Sequence, residues 1–155
     1  MKNTLLLILR VILIAAIVGI LLFTFYQSSL PKEESAQVSN QTSEKLEPII
    51  PSTTPTGAFV HTNIRKIAHF VEFALLGYAV SLYVVVFMRR RYIGLSYLAA
   101  AVVALIDETI QVFAERGPSV TDIWIDIFGF AFAASLVYVT LLAVVFIPRL
   151  FHRKK

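Results

Sequence analysis

Four long apolar segments constrain this chain more than any other feature. They cover roughly residues 5–26, 64–88, 92–114 and 122–147, and each is long enough to cross the hydrocarbon core of a bilayer as a helix. The composition agrees, because 57% of the 155 residues are hydrophobic and the mean hydropathy is +0.76. A chain this apolar is typical of an integral membrane protein. We predict an all-α, polytopic membrane protein with four transmembrane helices and a long polar outer loop.

The apolar segments divide the chain into four parts. Residues 1–26 are predicted to form the first transmembrane helix, and residues 64–147 a core of three more. Residues 27–63 are rich in Ser, Thr, Pro, Gln and Glu, and this composition cannot bury a core. We therefore predict a flexible extracytoplasmic loop that is either largely disordered or lies loosely on the membrane surface. Pro148 is expected to end the last helix, which leaves residues 148–155 as a basic tail.

The basic residues predict how the helices are oriented. Arg89, Arg90 and Arg91 separate the second and third apolar segments, and more basic residues follow Pro148. Because basic loops stay on the cytoplasmic side, both regions and the N-terminus are predicted to be cytoplasmic. This pattern also explains the net charge of +4, so we expect no nucleic-acid partner. The chain has no cysteine, which excludes disulfides and thiolate metal sites.

The third and fourth predicted helices carry acidic faces where they meet. By helical spacing, Asp107, Glu108 and Gln111 share one face of the third helix. Asp122 and Asp126 share one face of the fourth helix. A charged side chain inside the membrane costs several kcal/mol, so such residues usually have a function.

The connection between these two helices is short. A Gly-Pro dipeptide at residues 117–118 marks a tight turn, and Ser119 is expected to cap the helix that follows. Arg116 would then stand at the tip of an acidic helical hairpin.

The second predicted helix begins with a polar face at the same level. Arg65, Lys66, His69 and Glu72 lie within an arc of about 120° by helical spacing. With the orientation above, this face and the two acidic faces all lie just beneath the outer headgroups. We therefore predict one polar cluster, formed by three helices, at the outer face of the membrane.

Two segments of this cluster resemble the VanZ-like family of small bacterial integral membrane proteins. They are RKIAHFVEFALLG at residues 65–77 and DETIQVFAERGPSVTDIWIDIFG at residues 107–129, and FYQSSLPKEES after the first helix is also similar to the family. The resemblance implies a multi-pass protein of the bacterial plasma membrane. It implies roles for Lys66, His69, Glu72, Asp107, Glu108, Gln111, Arg116, Asp122 and Gly129. The family often has Asn where this chain has Asp126, so this chain carries one more carboxylate.

The founding VanZ member is linked to resistance to the glycopeptide teicoplanin, and the resemblance therefore implies a function in the cell envelope. Our first hypothesis is a site that binds or processes an envelope lipid or a lipid-linked precursor that bears phosphate. The candidate acid–base groups are His69, Glu72, Asp107 and Glu108. The candidate ligand-binding residues are Arg65, Lys66, Gln111, Arg116, Asp122 and Asp126.

Two other hypotheses stay open at this point. The carboxylates could hold Mg²⁺ or Ca²⁺, or zinc together with His69. The usual metal-binding spacings are absent, however, so the sequence predicts no metal and no cofactor. Alternatively, the cluster is an ion-pair network that fixes helix packing in a non-catalytic membrane scaffold or partner-binding protein. The sequence predicts membrane lipids as partners, and it determines neither the oligomeric state nor whether the protein is an enzyme.

Overall fold

The structure, a computed structural model, describes residues 2–88, 90–117 and 119–152, and within them it contains α-helices and no strand. The helices are α1 (Lys2–Ser29), α2 (Lys32–Leu46), α3 (Pro55–Thr62), α4 (Ile64–Phe87), α5 (Ile93–Phe113) and α6 (Val120–His152). A 3₁₀ turn, Arg90–Tyr92, precedes α5. Helices α1, α4, α5 and α6 are each long and apolar enough to cross a membrane. The predicted all-α architecture with four transmembrane helices is confirmed.

Some of the basic residues used for the orientation lie outside the described chain. These are Arg89 and the last three residues of the tail, 153–155. Pro118, in the predicted turn before α6, also lies outside it.

The segment between the first two membrane helices is helical where the sequence predicted disorder. In α2, Glu33 and Glu34 occupy the first turn and Lys45 the last turn, which stabilises the helix dipole at both ends. In α3, the Thr54 side chain accepts a hydrogen bond of 3.0 Å from the Gly57 N–H and so caps the helix. The prediction of a largely disordered loop is wrong for α2 and α3. None of the α2 residues is buried, which agrees with a composition that cannot form a core.

The prediction that Pro148 ends the last helix is also wrong. Helix α6 continues through this residue to His152. A proline removes one backbone donor and strains the preceding turn, but the residues after it retain their own donors and can continue the helix.

The core of the bundle lies between α4, α5 and α6. Ala100 and Ala104 of α5 are buried against Phe73 of α4, as their small size and spacing predicted. Helices α4 and α6 approach most closely at Gly77 and Gly129, where an added Cβ would lie 2.4 Å from a backbone oxygen of the other helix. The outward faces of the four long helices keep large hydrophobic side chains exposed, as expected for helices surrounded by lipid.

The polar residues gather at one end of the bundle, which we call the polar end. Helices α1 and α5 finish there and α4 and α6 begin there. Ser28 of α1 contacts Asp107 of α5, and Arg65 of α4 contacts Gln111 of α5. At the opposite end the Arg10 Nε donates to the Tyr83 hydroxyl at 3.3 Å. The fold therefore brings four helix ends to one level, which is what a shared polar site requires.

Candidate functional site

Asp107 occupies the centre of the polar cluster. Its side chain is 0% exposed, and both carboxylate oxygens accept hydrogen bonds. The Ser28 hydroxyl donates to Oδ1 at 2.6 Å, and the Gln111 amide donates to Oδ2 at 2.7 Å. The Arg65 guanidinium in turn donates to Gln111 Oε1 at 2.6 Å. This chain of hydrogen bonds joins α1, α4 and α5 and fixes the orientation of the Asp107 carboxylate.

His69 lies between two carboxylates from different helices. Its Nδ1 is 3.3 Å from Asp126 Oδ1 and 3.7 Å from Asp107 Oδ2. The His69 side chain is 9% exposed and that of Asp126 is 1% exposed. Within the described chain, neither His69 Nδ1 nor Asp126 Oδ1 has a hydrogen-bond partner. Three ligand-type side chains therefore converge from α4, α5 and α6, and these residues could hold a metal ion.

The turn after α5 directs Arg116 back into the cluster. Glu115 takes a left-handed backbone conformation with φ 59°, and its N–H donates to Val112 O at 3.2 Å. The Arg116 N–H donates to Gln111 O at 3.0 Å. These two bonds form a Schellman turn, which reverses the chain at a helix C-terminus. Arg116 is consequently buried, with 5% of its surface exposed, instead of standing free at the tip of the hairpin.

The Arg116 guanidinium contacts backbone oxygens at the end of α1. Its Nη1 donates to Gln27 O at 3.2 Å and to Ser28 O at 3.4 Å. Burial lowers the pKa of Arg116 below its ordinary value, and the positive charge of nearby Arg65 lowers it further. In the described part of the chain, the Nε atoms of both arginines are buried without a hydrogen-bond partner. The site thus has two neighbouring positive charges with unused donors.

Ser119 and Glu108 stabilise the start of α6 through hydrogen bonds. The Ser119 hydroxyl accepts a hydrogen bond from the Asp122 N–H at 3.2 Å, so the predicted cap is confirmed. The Ser119 N–H donates to Glu108 Oε1. Asp122 also lies near Arg65, with 3.8 Å between Oδ2 and Nη2. Ser119 and Glu108 therefore fix the helix start, which gives Glu108 a structural role beside any role in binding.

Two predicted site residues are placed differently from the rest. Lys66 is exposed and takes part in none of the ion pairs between described residues. The sequence did not determine whether Arg65 or Lys66 enters the cluster, and in the structure it is Arg65. Glu72 is half-buried and lines a cavity beside the cluster together with His69.

The contribution of α1 to the site was missed from the sequence. Thr24 and Ser28 are 3% and 1% exposed, although they belong to an otherwise apolar helix. They are four residues apart and therefore share one face of α1. In the sequence, the contact of α1 with the cluster was indicated only by these two hydroxyl residues, which are spaced by one helical turn near the end of an apolar helix.

A cavity of about 360 Å³ adjoins the cluster. It lies between α1, α2 and α4, and Arg116 closes one side. Helix α2 supplies Val38 and Thr42 to its wall, and the charged or titratable residues that line it are Arg65, His69, Glu72 and Arg116. The remaining lining is mostly apolar, so the cavity combines a hydrophobic wall with two cations.

The model of the VanZ/LLP1 family matches residues 11–146, which include every residue of the polar cluster. The chain belongs to the VanZ/LLP1 family. The resemblance inferred from its two polar segments is confirmed, and VanZ/LLP1 membership supports a multi-pass membrane protein linked to glycopeptide resistance. No curated protein and no solved structure matched this VanZ/LLP1 chain.

Proposed function

We propose that this protein binds a phosphate-bearing envelope lipid, or a lipid-linked precursor, in the cavity at the polar end. The observation that carries the proposal is a pair of arginines that line one cavity, the buried Arg116 and the partly exposed Arg65, whose Nε donors are both buried and have no partner in the described chain. A phosphate group accepts such bonds in a bidentate manner and would relieve the repulsion between the two cations.

The shape and lining of the cavity support a lipid rather than a small polar anion. Its volume of about 360 Å³ falls in the usual range of small-molecule sites and exceeds what a phosphate needs. Phe23, Val38 and Ile64 are among the apolar residues that line it. In the proposed complex the phosphate contacts the arginines, the first part of the hydrocarbon chain packs against the apolar wall, and the rest lies in the bilayer.

We propose further that the polar end faces the outside of a bacterial plasma membrane and that both termini are cytoplasmic. Four membrane-spanning helices put the two termini on one side. Arg10 and Arg91 lie at the opposite end of the bundle from the polar cluster, and basic residues favour the cytoplasmic side. A site on the outer face would meet lipid-linked precursors where glycopeptide antibiotics act, so occupancy of the site would alter sensitivity to these drugs.

Lipid binding is tested with purified protein and a short-chain polyprenyl phosphate, with the polyprenol of the same chain as the phosphate-free control. Arg65→Gln and Arg116→Gln each remove a charged donor, and a hydrogen bond to a charged group contributes about 1.5–3 kcal/mol. Their dissociation constants should therefore rise about 10- to 100-fold. Lys66→Gln is the matched control, because it removes the same charge from the adjacent, exposed position. Equal binding of the polyprenol, or an equal loss in Lys66→Gln, would contradict the proposal.

A non-catalytic scaffold is the second candidate, and the Arg65–Gln111–Asp107–Ser28 chain of hydrogen bonds favours it. This chain joins three helices without needing a ligand. The two functions are separated by Arg116→Gln, because the Arg116 side chain contacts this chain only at the backbone oxygen of Ser28 and makes none of its side-chain bonds. Lipid handling predicts that the variant folds normally and loses both lipid binding and its effect on teicoplanin sensitivity. A scaffold predicts that stability and drug sensitivity change together.

The acid–base roles assigned to His69, Glu72, Asp107 and Glu108 stay a prediction. Asp107 and Glu108 already accept hydrogen bonds from Ser28, Gln111 and Ser119, so His69 and Glu72, which line the cavity, are the better placed pair for proton transfer to a bound lipid.

A further inference from the structure

We propose that His69, Asp107 and Asp126 form a binding site for a divalent transition-metal ion, with zinc the best match. Their nearest ligand atoms all lie within 4.8 Å of one another, and all three residues are buried. This inference does not depend on lipid binding, because the ligand is different and only His69 of the three residues also lines the cavity.

The two separations from His69 Nδ1 to the carboxylate oxygens are close to those around a tetrahedral ion. Zinc bonds to nitrogen and oxygen of about 2.0–2.1 Å imply neighbouring ligand atoms about 3.3 Å apart. His69 Nδ1 is 3.3 Å from Asp126 Oδ1 and 3.7 Å from Asp107 Oδ2. An imidazole nitrogen with two carboxylates favours zinc and its neighbours in the first transition series over Mg²⁺ and Ca²⁺, which prefer oxygen ligands alone.

Two of the three ligand atoms make no hydrogen bond in the described part of the chain. His69 Nδ1 and Asp126 Oδ1 are both buried and lie 3.3 Å apart, but they are not aligned as a hydrogen bond. A buried polar atom without a partner costs free energy, so such atoms usually have a ligand or a functional role. A metal ion would satisfy both atoms at once.

The third ligand is oriented as metal ligands usually are. Ser28 holds Asp107 Oδ1, and Gln111 holds Oδ2, so both oxygens have fixed directions. Hydrogen bonds of this kind from an outer shell set the orientation of a ligating carboxylate and contribute to metal affinity. Each oxygen still has a second lone pair available for an ion.

The charge balance of the cluster also calls for a cation. Its carboxylates outnumber its guanidinium groups by five to two, namely Glu72, Asp107, Glu108, Asp122 and Asp126 against Arg65 and Arg116. The described ion pairs join Arg65 to Asp122 and join neither arginine to Asp107 or Asp126. Even a protonated His69 would leave the cluster with net negative charge, whereas a divalent ion would neutralise the two innermost carboxylates.

The test uses purified, chelator-treated protein in lipid-free detergent and the metal alone. Zinc should bind with one ion per chain, measured by calorimetry, and Co²⁺ should give visible d–d absorption typical of a tetrahedral site. His69→Gln and Asp126→Asn keep the side-chain size and should each weaken zinc binding at least about 100-fold, and Ser28→Ala, which removes only an outer-shell partner, about 10- to 100-fold. His61→Gln is the control, because His61 lies in α3 outside the cluster, and it should bind like the wild type.

Two results would overturn the metal site. One is an absence of zinc and Co²⁺ binding by folded wild-type protein, as judged by its helical content and elution volume. The other is unchanged affinity in His69→Gln and Asp126→Asn. If His69→Gln or Asp126→Asn loses its fold, Ser28→Ala tests the metal site instead. An outer-shell role of Ser28 predicts that the Co²⁺ spectrum and the metal affinity change together. A lower stability with an unchanged Co²⁺ spectrum would show a purely structural role.

Discussion

Replacing Gly129 by alanine should separate α4 from α6 at the level of the polar cluster. An added Cβ would lie 2.4 Å from Phe70 O and 3.1 Å from Phe70 C. Side-chain Cβ atoms essentially never approach within 3.0 Å of such an atom, so the two backbones must part by about 0.6 Å, from 2.4 Å to 3.0 Å. The atom in the way belongs to the backbone and cannot rotate aside.

The magnitude follows from two opposing terms. Overpacking a close contact costs about 1–3 kcal/mol. Alanine gains about 0.8–1 kcal/mol over glycine in a helix. Gly19→Ala in α1 receives the same gain with nothing within 4 Å of the new Cβ. The difference between the two variants therefore isolates the overpacking term, about 1–3 kcal/mol in favour of Gly19→Ala.

The assay is thermal unfolding of both variants and the wild type in one detergent. For a chain of this size each kcal/mol corresponds to about 2–4 °C, so Gly129→Ala should melt well below Gly19→Ala. Phe70 adjoins His69 and Gly129 lies one turn from Asp126, so the same separation should also weaken zinc binding. Equal melting temperatures for the two variants would refute the close approach of α4 and α6 and the site geometry built on it.

Three further predictions follow from other parts of the structure. Glu115→Gly should raise the melting temperature, because a left-handed conformation at φ 59° costs other residues about 1–2 kcal/mol and costs glycine nothing comparable. A lower melting temperature would argue against the Schellman turn. In this cysteine-free chain, Glu115→Cys should react with an impermeant thiol reagent in intact cells and Met88→Cys should not; the reverse pattern would invert the proposed orientation. The Ser52 N–H and hydroxyl donate to the Glu47 carboxylate and lower the pKa of Glu47, so these bonds stabilise the α2–α3 connection above the ordinary carboxyl pKa and stop doing so as pH falls through the lowered value. Hydrogen exchange in this connection should accelerate in that pH range, and Glu47→Gln should abolish the pH dependence.

Helical periodicity was sufficient to predict which faces of α4, α5 and α6 meet. Asp107 and Gln111 are four residues apart, as are Asp122 and Asp126, and the helical repeat puts each pair on one face whatever the tertiary structure. Because a charged face inside a membrane has few alternatives to burial, the cluster followed from the sequence.

Other features depend on tertiary contacts that the sequence does not encode locally. Arg65 and Lys66 are adjacent, and an arc of about 120° includes both, so only the packing of α4 decides that Arg65 is the one that enters the site. The Schellman turn uses Glu115 where glycine is the usual residue, so the inward direction of Arg116 had no local sign.

The helical state of α2 shows a different limit of the prediction. Its polar composition correctly excluded a buried core, but Glu, Lys and Gln are also good helix formers, and charges at the two ends stabilise the helix. The absence of a core was therefore no evidence for the absence of a helix. Because α2 forms part of the cavity wall, the cavity could not be predicted while this segment was expected to be disordered.

The most direct test of a lipid site at the polar end is photo-crosslinking in membranes with a polyprenyl phosphate that carries a photoreactive group next to the phosphate. Mass spectrometry of the crosslinked protein identifies the residues that the lipid contacts. Adducts are expected on cavity residues such as Val38, Thr42 and Ile67, and they should be lost in Arg116→Gln. Adducts confined to lipid-exposed positions such as Phe132, with no change in Arg116→Gln, would contradict it.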